Sequence, residues 1–229
     1  MPVQSRMARK TGVTLSRTVT MIMIFIYVVQ ASANVYLLLD RGELEKKILE
    51  KDVIIADLER EITELRERLK IFQIIEDFQI GFTPQEKHLI EDTIFTQSKR
   101  LGYDPLLLMS LILTESSFRK GQESFMGAQG LMQVKPSTGL WLSQKYKMPW
   151  KGEYTLFDPR YNIKVGSRYL FDLILKFRDV KKALVAYNIG EYALKGKLKL
   201  KEKVPQRYVD KIMAKYNMLK KSYPDSLFG

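Results

Sequence analysis

From Thr18 to Leu39 the chain carries no charged residue, and VTMIMIFIYVVQASANVYLLL supplies about 21 mostly apolar positions. At ~1.5 Å per residue such a helix spans the ~30 Å of a bilayer's hydrocarbon core. A transmembrane helix is therefore predicted over 18–39. Arg6, Arg9, Lys10 and Arg17 precede it, and the positive-inside tendency keeps the basic segment 1–17 in the cytoplasm and sends everything after Asp40 across the membrane. The competing reading is a cleaved signal peptide, because Ala31-Ser32-Ala33 has the small residues of a cleavage site behind an apolar run. Val35 to Leu39 carry the apolar run past that site, which favours an uncleaved anchor in the cytoplasmic (inner) membrane.

Beyond Asp40 the period changes. Ile48, Ile55, Ile62 and Leu69 fall at position a, and Leu44, Leu58, Leu65 and Phe72 at position d, with Lys51 as a polar exception. Four such heptads predict a coiled-coil stalk over 40–80. Isoleucine at a with leucine at d favours a parallel homodimer, and Lys47 with Asp52 and Glu61 with Arg66 would make oppositely charged pairs across it. A stalk of about 29 residues would hold the C-terminal part of the chain about 43 Å above the membrane. The alternative is one amphipathic helix packed on its own domain.

Gly81 closes the heptads, and Thr83-Pro84-Gln85-Glu86 reads as a capping box with proline at the first helical position, so a separate domain is predicted over 81–229. Its pattern is helical at about 84–101, 105–118, 136–146, 159–177, 180–188 and 205–222. Asp158-Pro159 repeats the cap-then-proline logic. Residues 120–135 and 190–204 are expected as loops or short hairpins. Within the second, Lys195 to Lys201 alternates basic with small or apolar residues, which suits a strand with one lysine face or a solvated loop.

Composition narrows the chemistry. With no cysteine and one histidine, His88, disulfides, thiolate metal sites and cysteine nucleophiles are excluded, and a zinc site or a serine–histidine triad has little to stand on. Carboxylates, hydroxyls and amides must do the work, and no cofactor or metal is expected. Of 38 basic and 26 acidic residues, 12 of each lie in 1–80, so the whole net charge of +12 belongs to 81–229. Such a domain attracts anions of several kinds, but the chain has no nucleic-acid recognition motif.

The stretch Glu115 to Gly139, ESSFRKGQESFMGAQGLMQVKPSTG, is the richest in candidate chemistry. It places one carboxylate at the end of the apolar run Pro105 to Leu113 and then adds a polar turn opened by Gly127, Ala128 and Gly130. A carboxyl group emerging from apolar packing has its pKa raised by desolvation, as a catalytic acid requires. A plain helix-to-helix turn would use the same residue types.

These segments resemble the soluble lytic transglycosylases, which cleave bacterial peptidoglycan and share a goose-type-lysozyme-like fold. The resemblance covers about 85–216. It rests on Glu115-Ser116-Ser117-Phe118, on Gly127 to Gln133, on Pro136 with Thr138, on Asp158-Pro159 with Asn162-Ile163 and Gly166, and on Ala186-Tyr187-Asn188 with Gly190. It implies a mainly α, lysozyme-like catalytic domain with minimal β structure. It also implies that Glu115 alone serves as acid and then base on the bond between N-acetylmuramic acid and N-acetylglucosamine, leaving a 1,6-anhydro product. By the same resemblance Ser124, Gln133 and Asn188 would bind the sugars, Met132 would line the cleft, Tyr187 would orient Glu115 or the substrate, and Tyr208 would match a late tyrosine. The chain departs from the family at Ile189-Gly190-Glu191-Tyr192-Ala193, where a Gly-Pro-Gly-like turn is frequent, and at Arg119-Lys120-Gly121-Gln122, where an Asn-Pro-like turn is frequent. A muramidase using water on the same bond, and a non-catalytic glycan-binding tether, are the alternatives.

Overall fold

The computed structural model describes residues 16–225 of the 229; Arg6, Arg9 and Lys10 lie outside them. Contacts divide the chain into two compact units, one ending at Arg60 and one beginning at Glu61.

From Arg17 onward the first unit is helical, belonging to a helix, α1 (Arg17–Phe78), whose N-terminal portion is long and apolar enough to cross a membrane by length and composition. Ile22, Phe25, Leu37 and their neighbours are exposed along it, as are the heptad positions Leu44, Ile48, Ile55 and Leu58. Lys47 is engaged within the helix by Glu43 at 3.0 Å.

The second unit starts at Glu61, earlier than the boundary expected at Gly81. The reason is a second stripe on α1, out of phase with the heptads. Ile71, Ile74 and Ile75, spaced i, i+3, i+4, are at most 1% exposed in the domain core, whereas Leu69 remains 54% exposed. Arg68 locks the same segment to the second helix, α2 (Pro84–Leu101): its guanidinium donates to Glu91 (2.9 Å) and Asp92 (3.1 Å) and lies 4.0 Å over the Phe95 ring. The Thr83–Glu86 capping box forms at the start of α2, with the Thr83 amide donating to Glu86 at 2.9 Å. His88 is exposed and stacks on Phe72.

Next comes α3 (Pro105–Glu115), begun by Asp104, whose carboxylate accepts from the Leu106 amide at 2.8 Å. Seven of its eleven residues are buried, so it is apolar nearly all round and packs as the central helix. Around it are arranged α4 (Pro136–Tyr146), a 3-10 turn (Glu153–Phe157), α5 (Pro159–Phe177), α6 (Val180–Ile189), α7 (Glu191–Lys199) and α8 (Arg207–Ser222). Among the principal packings, α8 and α2 lie on α3, and α5 lies on α2 and α6. The domain is mainly α, and its β structure among the described residues amounts to isolated bridges, two of them closing the loop after α3.

Two expectations need correction. The helix predicted to reach Phe118 stops at Glu115, because Ser117 and Phe118 turn left-handed (φ 52° and 54°) and Phe118 plugs into the core. Residues 195–199, expected as a strand or loop, belong to α7. There Lys195 reaches back one turn to Glu191 (2.7 Å), an i, i+4 pairing that a strand cannot make.

The placement of the isoleucine stripe yields a prediction. A chain beginning at Glu61 should unfold cooperatively, whereas one beginning at Gly81 should lack a cooperative transition. Truncating buried isoleucines costs roughly 2–5 kcal/mol each, and the loss of three rivals a domain's total of about 5–15 kcal/mol. Thermal unfolding followed by near-ultraviolet circular dichroism checks this.

Candidate active site

Glu115 is the last residue of α3, and two features of that position destabilise its ionised form. Packing removes it from water, and the partial negative charge of a helix C-terminus lies beside it. Burial pushes its carboxyl up to about 7 from an ordinary 4.5, against opposing pulls from a hydrogen bond with Tyr208 and the positive charge of Lys215. Both come from α8. The Tyr208 hydroxyl donates to Glu115 Oε1, and Lys215 Nζ donates to the Leu113 carbonyl, one of the unpaired acceptors at the end of α3. Glu115 Oε2 has no protein partner among the described residues.

Glu115 opens into a cleft of about 370 Å³. One wall is the loop after α3, drawn tight by its own backbone. Ser124 N–H donates to the Ala128 carbonyl (2.9 Å), Ala128 N–H donates to Ser124 Oγ (3.0 Å), and Gly130 N–H donates to the Gln122 carbonyl (2.8 Å). Gly130 is required here by both shape and space: its φ is +76°, and a Cβ would fall 2.3 Å from the Asn162 side chain. Asn162, wholly buried on α5, ties the loop to the 3-10 turn through three hydrogen bonds, two of them to the loop. Its Oδ1 accepts from Met132 N–H (2.7 Å), and its Nδ2 donates to the carbonyls of Gln129 and Leu156 (both 2.8 Å).

The opposite wall is the end of α6 with Tyr169 of α5, and Tyr187, Asn188 and Gly190 all line the cleft. Tyr187 donates its hydroxyl to the Met132 carbonyl (2.8 Å), so it braces the loop, and its ring meets that of Tyr169 at 5.3 Å. Gln133 spends its amide NH₂ on the carbonyls of Gly130 (2.9 Å) and Gln122 (3.1 Å), which leaves its side-chain oxygen for a ligand. Asn188 is exposed and makes no side-chain hydrogen bond among the described residues, so both ends of its amide are available. Among the residues lining the cleft Glu115 is the sole carboxylate.

Of the expected site residues, the structure gathers Glu115, Ser124, Gln133, Tyr187 and Asn188 around one cleft and brings Tyr208 onto Glu115 from behind. Met132 is different. Its side chain is fully buried and fills the notch above Gly166, where a Cβ would meet it at 2.7 Å. It is a core residue whose backbone holds the cleft wall, not a lining side chain. Sequence reasoning missed Tyr169 and Lys215. The second was within reach, since Lys215 lies seven residues after Tyr208 and so on the same face of α8. Larger cavities exist elsewhere. One of about 980 Å³ surrounds the start of α3, away from Glu115, and several of its charges are matched, as in Lys70 with Asp225 at 2.9 Å and Lys99 with Glu67 at 2.6 Å.

The domain is thus helical, with one desolvated acid in an amide- and tyrosine-lined cleft. The Transglycosylase SLT domain family matches residues 92–209, just over half of the chain, and the chain belongs to that family. It is 32% identical over 128 residues to the transglycosylase of Enterobacteria phage PRD1, covering 56% of this chain and 43% of that protein. It is also 32% identical over 114 residues to membrane-bound lytic murein transglycosylase E of Buchnera aphidicola, covering 45% of this chain and 51% of that one. The chain thus spans about half or less of these curated relatives. In three dimensions it resembles the 70 kDa soluble lytic transglycosylase of Escherichia coli with a TM-score of 0.53 at 23% identity, over 61% of this chain and 26% of that one, which identifies the fold as lysozyme-like.

The raised carboxyl has a consequence for stability. The folded protein holds the Glu115 proton up to about pH 7 and the unfolded chain releases it near 4.5, so stability falls as pH rises through that window and stays lower above it. Glu115→Gln should therefore be more stable than wild type at pH 8, by about 3 kcal/mol at ~1.4 kcal/mol per pH unit, and indistinguishable below pH 4. Urea unfolding at both pH values measures the difference.

Proposed function

We propose that the chain is a membrane-anchored lytic transglycosylase that cleaves the β-1,4 bond between N-acetylmuramic acid and N-acetylglucosamine in peptidoglycan, with Glu115 as its single acid and base. The observation that carries this reading is a lone carboxyl, protonated near neutral pH, in a cleft with no second carboxylate lining it. A retaining glycosidase needs a partner carboxylate ~5–5.5 Å away, and an inverting one needs it ~6.5–9.5 Å away to hold a water.

In this mechanism Glu115 gives its proton to the glycosidic oxygen as the bond to the muramoyl C1 breaks. The resulting carboxylate then takes the proton of the muramoyl 6-hydroxyl while that oxygen bonds to C1. The anhydro ring closes, Glu115 is protonated again, and no water is consumed. Tyr208 and Lys215 stabilise the carboxylate between the two steps, and Asn188 with the free oxygen of Gln133 would hold sugar amides and hydroxyls. Ser124 and Tyr187 keep the walls in place. The apolar segment 18–39 would anchor the chain in the cytoplasmic membrane with the domain on the periplasmic side. The exposed heptad face from Leu44 to Leu69 would pair two copies in parallel.

Mass analysis of murein digested by the purified chain is expected to give 1,6-anhydromuramoyl ends, and Glu115→Gln should give none. Reducing ends alone would replace transglycosylation by hydrolysis. The pH dependence adds a second expectation: with Glu115 starting as an acid, turnover falls as pH rises through about 7. Because the Tyr208 hydrogen bond pulls that value down, Tyr208→Phe should move the falling limb to higher pH while lowering the maximum. A pH–rate profile of the two proteins measures the direction.

A further inference from the structure

A second concavity, of about 750 Å³, lies on the far side of the α4–α5 pair and shares no lining residue with the catalytic cleft. Thr138 at the start of α4 and Tyr169 of α5 line the cleft, whereas Tyr146 at the end of α4 and Arg168 of α5 line this cavity. Arg100, Lys151, Arg160, Lys164 and Arg168 surround it, against the single carboxylate of Asp158.

That carboxylate is already occupied. Asp158 caps α5 by accepting from the Tyr161 amide at 2.9 Å, and its other oxygen sits 3.7 Å from Arg160. Asp172, one turn beyond Arg168, is taken by Lys145 (2.8 Å) and by the Tyr146 hydroxyl. Arg168 instead lies 4.3 Å over the Tyr146 ring. Among the described residues no carboxylate comes within 4.0 Å of Arg100, Lys151, Lys164 or Arg168. Some cations elsewhere in the domain are matched, as Arg68, Lys87 and Lys120 are, and others such as Arg178 and Lys181 are not among the described residues; what sets these four apart is that they line one concavity.

Four unmatched cations around one concavity repel one another, and its low-dielectric walls focus their field into the enclosed space. Guanidinium groups favour an oxyanion that accepts two parallel N–H bonds, and phosphate meets that demand with more charge than a carboxylate. The volume lies within the ~300–1,000 Å³ of ligand sites, and the exposed Tyr154 ring offers a face on which a sugar or polyol can rest. We propose that this cavity binds a ligand carrying two or more phosphate groups, independently of the catalytic cleft.

Calorimetric titration of the full chain in detergent micelles with inorganic tripolyphosphate tests this. Saturable binding that weakens steeply with added salt is expected. Arg100→Glu combined with Lys164→Glu, both at exposed positions, should weaken it by about tenfold or more. Glu115→Gln should bind as wild type does, so the result is independent of the catalytic reading. Lys181→Glu combined with Lys203→Glu makes the same change in net charge away from the cavity and should have little effect. Absence of saturable binding, an equal loss in the two double variants, or equally tight, equally variant-sensitive binding of polyglutamate would each overturn the proposal. Competition by bis(glycerophospho)glycerol, a free lipid headgroup with two phosphates, separates the sources: displacement identifies a headgroup diphosphate, and its failure identifies a soluble oligophosphate.

Discussion

The domain is organised by one conflict: its central helix must be buried on nearly every side and yet end in a carboxyl group. The apolar faces of α3 require α2 and α8 as cover, and that cover takes the water away from Glu115. An isolated charge there would be costly. The fold answers with protonation near neutral pH and with a hydroxyl and an ammonium group brought from α8. The packing that stabilises the domain and the acidity proposed for catalysis are therefore consequences of the same burial.

The cleft walls show a division of labour between side chains that hold and side chains left free. Asn162, Ser124 and Tyr187 satisfy backbone groups of the loop after α3, and Gly130 and Gly166 give up side chains so that loop and helix can meet. Gln133 and Asn188 keep polar atoms without protein partners in a region where most polar atoms are paired. Facing water in the open cleft, these atoms can exchange it for the hydrogen bonds of a polar ligand.

Much of this was legible in the sequence because it depends on local rules. Thr83 and Asp158, each preceding a proline, mark helix starts at the positions observed, since a cap and a preset φ act within a few residues. The apolar run ending at Glu115 announced a desolvated acid for the same reason. What escaped was decided by tertiary partners. Ile71, Ile74 and Ile75 lie on a face that the heptads do not mark, and only a domain packed against that face reveals their use. Met132 was expected in the cleft from the family resemblance; the absence of a Cβ at Gly166 leaves room for it to pack inward. The lysine alternation of 195–201 mimics a strand, but with no neighbouring strand to pair with, the backbone bonds of 195–199 close locally as the end of α7.

The dependence of Glu115 on α8 has a consequence in the order of events. Tyr208 and Lys215 lie roughly a hundred residues further along the chain than the acid, and the burial that raises its pKa is incomplete until their helix docks. A chain still in synthesis, or one whose α8 has come loose, would expose an ordinary glutamate that is ionised at neutral pH. The acid thus gains its raised pKa only by closure of the finished domain, which would confine the proposed chemistry to molecules that have completed folding.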